Sequence, residues 1–121
     1  MRRRNSLLEA LLAFKALDPR ISVNDIVAFL YTCENEGLSV QELAFIAEFS
    51  QTTASRCLRA LGRSGSAWSL PPALGFVDAY ADAADGRTHV IRLSNDGERF
   101  RARLDEIIRR AAPIAMDQRR L

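Results

Sequence analysis

Apolar residues recur every three or four positions through the first half of the chain, a spacing that predicts helices with one buried face. Each of four such segments follows a residue that can cap a helix N-terminus, in order Asn5 or Ser6, Ser22, Ser39 and Ser50. Asp25 and Glu42 lie three residues after the second and third caps and complete capping boxes. Proline and glycine stop signals separate the helices at Asp18-Pro19, Gly37 and Gly62.

The spacing changes from helical to alternating between residues 76 and 93. Apolar positions alternate along an outgoing run, Val77, Ala79 and Ala81, and along a return run, Ile91 and Leu93. Asp85-Gly86 lies between the two runs and is typical of a hairpin turn. Ser94 then caps a last helix with one apolar stripe. The expected fold is mainly α with a small β-hairpin.

The third and fourth helices are short and are joined by a turn of three or four residues, which is typical of a helix-turn-helix. The fourth helix bears polar side chains and an arginine near its start, namely Ser50, Gln51, Thr52, Thr53, Ser55 and Arg56. Such side chains at the N-terminal end of a helix read base edges in the major groove of B-DNA. A merely solvated surface explains the same residues, but the hairpin that follows favours DNA.

This order of elements resembles the MarR family of bacterial transcription regulators. The resemblance runs from about Ile21 to Phe100 and keeps the second, supporting and recognition helices in unbroken register. In the hairpin it is carried by Gly75, Phe76, Val77, Asp85, Arg87, Leu93, Ser94 and Gly97. It implies a winged helix-turn-helix with N- and C-terminal dimerisation helices. It also implies a homodimer that places a recognition helix in the major groove and a wing at the minor groove.

Arginines are the other candidate DNA contacts. The resemblance implies that Arg87 is a minor-groove arginine held in place by Asp85, and a narrow minor groove does attract a cation on a thin hairpin tip. We interpret Arg56 as a base or phosphate contact. Arg59 and Arg63 are interpreted as phosphate contacts, which position a protein on DNA without reading its sequence.

The first and last helices carry more apolar surface than the small central unit is expected to cover. The residues concerned are Leu7, Leu8, Leu11, Leu12, Phe100, Leu104, Ile107 and Ile108. Left exposed, they would form a larger patch than monomers usually tolerate, which favours a dimer interface. Packing of both helices on their own domain is the alternative.

The sequence thus predicts a single winged-helix domain over residues 1–121. Its segments are a dimerisation helix (5–20), a helix-turn-helix core (21–62), an inserted loop (63–75), a wing hairpin (76–93) and a second dimerisation helix (94–112). The loop is longer than the family pattern and is expected either to lie on the surface or to pack on the dimer and reposition the wing. Asp78, Asp82 and Asp85 make the outgoing wing strand acidic, which is unfavourable near phosphate.

Composition narrows the classes of function. The 121 residues are 48% hydrophobic and 26% charged, as in an ordinary globular domain, and the net charge of +2 is too small to identify a partner. No nucleophile–base pair, phosphate loop or cluster of metal ligands is present, so neither an enzyme nor a cofactor or metal is expected. There is no membrane-spanning run of about 18 apolar residues. Cys33 and Cys57 are expected to be buried thiols in a reducing cytoplasm, with a redox-sensing thiol as the alternative.

The predicted function is therefore that of a dimeric repressor that binds double-stranded DNA. The rival is a winged helix that serves as a protein–protein interaction module in a larger assembly, an alternative with which the acidic wing and the small net charge are compatible. The resemblance also implies a small-molecule effector of unidentified chemistry, bound between the DNA-binding unit and the dimer helices. Aromatic residues are candidates to line that cleft or, as is more usual at helical spacing, to form the core: Phe14, Phe29, Tyr31, Phe45 and Trp68.

Overall fold

The computed structural model describes residues 4–81 and 89–114. Within them the elements are α1 (Ser6–Leu17), α2 (Val23–Glu34), α3 (Val40–Ala47), α4 (Gln51–Ala60), β1 (Val77–Ala81), β2 (His89–Leu93) and α5 (Asn95–Arg109). None of the helices in this part of the chain is long and apolar enough to cross a membrane.

Every helix begins at a side-chain cap that the sequence predicts. Asn5 Oδ1 accepts the Leu8 N–H at 2.7 Å, and Ser50 and Ser94 cap α4 and α5 in the same way. Ser22 and Ser39 form complete capping boxes with Asp25 and Glu42. These contacts satisfy backbone N–H groups that the first turn of a helix leaves without partners. One predicted end is displaced, because α2 stops at Glu34 and Gly37 lies in the turn that follows.

The two strands form the predicted antiparallel hairpin, with Val77 opposite Leu93 and Ala81 opposite His89. Leu38, between α2 and α3, forms a single antiparallel β-bridge with Ile91 of β2. Its carbonyl accepts the Ile91 N–H at 2.9 Å, and the Gly37 N–H donates to the Ile91 carbonyl at 3.0 Å. The hairpin is therefore fastened to the start of the helix-turn-helix. Residues 82–88, which include the predicted turn at Asp85-Gly86, lie outside the described residues.

Four phenylalanines from four parts of the chain meet at the centre of the core. Phe14 of α1 and Phe100 of α5 have ring centroids 4.9 Å apart, and Phe76 stacks on Phe100 at 4.8 Å. Phe29 of α2 contacts the other three rings at 5.5 to 5.9 Å. Such offset and edge-on pairs add stability beyond the buried area. Phe14 and Phe29 are thus core residues.

Phe45, one of the aromatic candidates for the ligand cleft or the core, does not lie in the core. Its side chain is 84% exposed, while Leu43 and Ala44 of the same helix are buried. Phe45 lies two residues after Leu43 and therefore about 200° around the helix from it. The face of α3 that contains Leu43 and Ala44 packs on α4 and α2, so the opposite face points to solvent.

The predicted dimer stripe of α5 is largely covered by the chain itself. Phe100, Leu104 and Ile107 are between 3% and 6% exposed, because α1 folds back onto α5. Arg110 Nη1 reaches Glu9 Oε1 at 2.7 Å, and Ser6 exchanges two hydrogen bonds with the Ala112 backbone. The prediction that these three side chains present a surface to a partner is therefore corrected. Leu12 is half-buried, and the residues of the set that stay 42% to 59% exposed are Leu7, Leu8, Leu11 and Ile108.

Candidate nucleic-acid interface

The site is built on α4, the second helix of the helix-turn-helix. Ala54, Cys57 and Leu58 bury one face of α4 against α2 and α3. Ser50 starts the helix: its Oγ accepts the Thr53 N–H at 3.1 Å and its hydroxyl donates to Thr53 Oγ1 at 3.0 Å. The first turn of α4 is therefore fixed by Ser50 and Thr53, two of the candidate DNA contacts.

The remaining polar candidates share the outer face of α4. Gln51, Thr52 and Arg56 are exposed, and Ser55 is half-buried between them. Arg56 makes no hydrogen bond or ion pair to any of the described residues, so its guanidinium is available to an incoming ligand. The structure thus brings these four side chains onto one accessible strip.

Arg59 has a partner inside the chain. Its Nε donates to the carbonyl of Trp68 at 2.7 Å, and its side chain is half-buried. The sequence analysis interprets this residue as a phosphate contact. The structure instead directs its Nε to the loop formed by residues 63–75.

Arg63 is also engaged within the chain. Its Nε lies 2.5 Å from Asp78 Oδ1 and its Nη2 lies 3.1 Å from Asp78 Oδ2, which makes a two-point ion pair. These hydrogen bonds raise the pKa of the Arg63 guanidinium above its usual value. The pair also offsets the negative charge of Asp78 on β1. The negative charge that the sequence predicts for this strand is therefore partly neutralised at Asp78.

The described part of the wing consists of its two strands, β1 and β2. Asp85 and Arg87, the predicted minor-groove residues, lie outside the described residues, as does Asp82. On β2, Arg92 is exposed and lies 3.5 Å from Glu36 Oε2 in the α2–α3 turn.

Sequence reasoning missed Arg20 as a neighbour of α4. Arg20 and Arg56 line one shallow pocket of about 290 Å³, together with Asp25 and the Pro71-Pro72 pair of the inserted loop. Arg20 holds Asp18 at 2.9 Å. Its position just before the Ser22 cap was the available signal, because that cap starts a helix that packs on α4.

Neither cysteine is poised for thiol chemistry. Burial raises the pKa of both Cys33 and Cys57 to about 12, and the Asp25 carboxylate adds to the effect at Cys57. With these pKa values both thiols stay protonated near neutral pH. Because the thiolate is the reactive form, the protonated thiols are unreactive. This geometry favours the interpretation of the two residues as small buried hydrophobes.

Neither a family model nor a curated protein sequence matches this chain. Solved structures do. The S. aureus MepR–DNA complex matches with a TM-score of 0.68 over 85% of this chain and 75% of that chain, at 20% identity. A MarR transcriptional regulator from Methanosarcina mazei Go1 gives 0.64 over 91% and 75%, at 17% identity. The PcaV regulator from Streptomyces coelicolor, in complex with its natural ligand, gives 0.58 over 87% and 69%, at 21% identity.

The chain has the MarR winged-helix fold. The predicted fold class, five helices with a hairpin after the helix-turn-helix, is thereby confirmed. In this MarR fold α3 and α4 form the helix-turn-helix, and β1 and β2 form the wing beside it. At these identities the likeness concerns the path of the backbone, so the roles of side chains rest on the contacts described above.

Proposed function

We propose that this protein is a transcription regulator that binds double-stranded DNA in a sequence-specific way. The observation that carries the proposal is the accessible strip of α4, formed by Gln51, Thr52, Ser55 and Arg56 beside a wing. The major groove of B-DNA admits one α-helix, and α4 presents this strip on the side away from the core. The MepR structure with the same fold is a complex with DNA, which supports the proposal.

Each side chain of the strip has a chemical role in the proposal. The fork of Arg56 is suited to the O6 and N7 acceptors of guanine, and the amide of Gln51 is suited to adenine. The hydroxyls of Thr52 and Ser55 are short donors and acceptors for a base edge or a phosphate. Ser50 and Thr53 act by fixing the start of α4, where backbone N–H groups attract a phosphate. Asp85 and Arg87 remain the proposed minor-groove contact.

We propose that the working form is a homodimer. Leu7, Leu8 and Leu11 on α1 and Ile108 on α5 are large apolar side chains that the chain leaves substantially exposed. A second copy that covers them would place two recognition helices on two half-sites, about one helical turn of DNA apart. We further propose that the dimer acts as a repressor, since a protein bound across a promoter excludes the polymerase.

A small-molecule effector belongs to the same proposal. PcaV, which has this fold, has been solved in complex with its natural ligand. Phe14 and Phe29 are committed to the core here. Tyr31 on α2 and Trp68 are half-buried and remain the aromatic candidates to line a ligand cleft.

A second candidate function is a protein-interaction module. The exposure of Phe45 favours it, because a fully presented aromatic on a short helix is typical of a protein contact. The two functions separate by mutation. If the module is the function, Phe45→Ser abolishes partner binding and Arg56→Ala leaves it intact. If DNA is the ligand, Arg56→Ala weakens DNA binding and Phe45→Ser leaves it intact.

Fluorescence anisotropy tests the main proposal directly. The probe is a duplex from the stretch upstream of the protein's own gene, with a shuffled duplex of the same composition as control, over a salt series. We expect a preference for the native duplex and a steep loss of affinity as salt rises, because phosphate contacts release counterions. Equal binding to both duplexes would remove sequence specificity at that site. Absence of binding at low salt would refute the DNA proposal.

A further inference from the structure

Residues 63–75 complete the end of the recognition helix. The last carbonyls of an α-helix have no partner within the helix. Here the carbonyls of the last two residues of α4, of its C-cap Leu61 and of the following Gly62 accept N–H groups from the segment and the residue after it. The distances are 2.8 to 3.1 Å: Arg59 from Leu70, Ala60 from Leu74, Leu61 from Phe76, and Gly62 from Gly75. Backbone hydrogen bonds therefore fix the segment against the C-terminal end of α4.

Side chains fasten the same segment to α4. The Arg59 side chain holds the Trp68 carbonyl at 2.7 Å. Gly62 allows a very close approach, since a β-carbon on it would lie 2.2 Å from Ser69 Oγ and 3.1 Å from the Trp68 ring. A larger residue at position 62 would require the side chains of Ser69 and Trp68 to shift.

The segment also touches the wing at two separate levels. Arg63 pairs with Asp78, the second residue of β1. Trp68 contacts His89, with ring centroids 6.1 Å apart, and His89 lies opposite Ala81 at the outer end of the described strands. Two contacts at different distances along a hairpin restrict its tilt, whereas one contact would leave a pivot.

We propose that residues 63–75 form a brace that sets the position of the wing relative to the recognition helix, with Arg63, Asp78 and Trp68 as its positioning residues. The brace joins the C-terminal end of α4 to both levels of the hairpin. Its role in DNA recognition rests on the proposed function, because a helix and a wing must reach neighbouring grooves at the same time. Asp78 then favours DNA binding through Arg63, although a carboxylate by itself repels phosphate.

Trp68 supplies a test that needs no DNA, because it is the only tryptophan in the chain. Arg63→Ala, Asp78→Ala and the double variant are compared by tryptophan emission and by acrylamide quenching. We expect emission at longer wavelength, and a population with Trp68 off the wing that rises about two- to fivefold, the range that partly exposed ion pairs give in double-mutant cycles. The double variant should resemble either single one.

Asp105→Ala is the matched control, because it also removes a carboxylate from an arginine ion pair, on α5. It should leave the emission of Trp68 unchanged. Folded Arg63→Ala and Asp78→Ala proteins with wild-type emission and quenching would overturn the brace.

DNA binding gives the second readout. If the brace positions the wing, Arg63→Ala and Asp78→Ala both lower the preference for the native over the shuffled duplex, by about two- to fivefold, and the double variant is no worse. If Arg63 is instead a phosphate contact that Asp78 restrains, Asp78→Ala strengthens binding to every duplex and Arg63→Ala reduces the salt slope by about one. That second pattern would overturn the brace. A wild-type protein that binds no duplex would refute the proposed function, and Trp68 emission alone would then decide on the brace.

Discussion

Gly97, in the first turn of α5, lies so close to the Phe76 carbonyl that a β-carbon on residue 97 would stand 2.1 Å from that oxygen. The same carbonyl accepts the Ser94 N–H at 2.9 Å, and Ser94 Oγ donates to the Gly75 carbonyl at 2.6 Å. The start of α5 is therefore packed directly on the backbone that enters the wing. The wing base and the last helix form one rigid junction.

Gly97→Ala is expected to lower the free energy of unfolding by about 1–3 kcal/mol, the usual cost of forcing an extra carbon into a packed site. The obstacle is a backbone carbonyl, which cannot rotate away as a side chain does. Urea denaturation measures the change. Asn95→Ala, an exposed change in the same helical turn, is the control and should stay within about 0.5 kcal/mol of the wild type. Equal stability of the two variants would contradict the rigid junction.

Arg56→Ala is expected to cost about 1–3 kcal/mol of affinity for the native duplex and to relax the preference at one base pair. The reason is that Arg56 lies on the outer strip of α4 with its guanidinium uncommitted within the described residues. Anisotropy at constant salt measures it. Arg103→Ala removes the same charge from an exposed position on α5 and serves as the control. A similar loss in both variants would reduce the role of Arg56 to general charge.

Arg59→Ala should act mainly on stability. Its Nε–Trp68 carbonyl hydrogen bond is half-buried, and its loss is expected to lower the free energy of unfolding by about 1 kcal/mol. Thermal unfolding followed by circular dichroism measures this loss. A variant of wild-type stability with a lower salt slope would instead support the phosphate contact that the sequence predicted.

Leu11→Asp and Ile108→Asp are expected to convert the proposed dimer into a folded monomer, since both side chains are exposed in the single chain. Size-exclusion chromatography with light scattering gives the mass, and circular dichroism checks that helix content is retained. Leu104→Asp is the contrasting variant. It should unfold the chain, because its carboxylate would be buried without a partner. A wild-type monomer at micromolar concentration would remove the dimer from the proposal.

The two thiols are expected to be inert in the folded protein near pH 8. Their pKa values are raised to about 12 by burial, so the thiolate fraction is far below that of an unfolded chain. Reaction with a chromogenic disulfide reagent should be slow in buffer and fast in urea. Proton binding also sets the direction in which the free energy of unfolding changes with pH. Above the ordinary cysteine value of 9.0 the unfolded chain loses protons that the folded one keeps, so the free energy of unfolding falls as pH rises toward 12. Fast reaction in buffer would revive the redox-sensing alternative.

The helix starts and the hairpin could be predicted because their signals are local. The capping box of Ser22 and Asp25 joins residues three apart, so the sequence itself displays both partners. Alternation along Val77–Ala81 and His89–Leu93 likewise depends on nearest neighbours. The order of these elements then restricted the architecture to a winged helix, and the solved structures with the same fold confirm it.

The sequence by itself determined which residues form helices, which form the hairpin, and that α4 combines an apolar stripe with a polar strip. The tertiary structure alone decided which element packs on each apolar stripe and which charged side chains form ion pairs. It buried Leu104 in the core of the same chain, left Phe45 in solvent, and paired Arg63 with Asp78, fifteen residues further along. A periodic pattern shows that a face is apolar, but the identity of its cover depends on how distant segments pack. Ion pairs between such segments form only after that packing has brought the charges together.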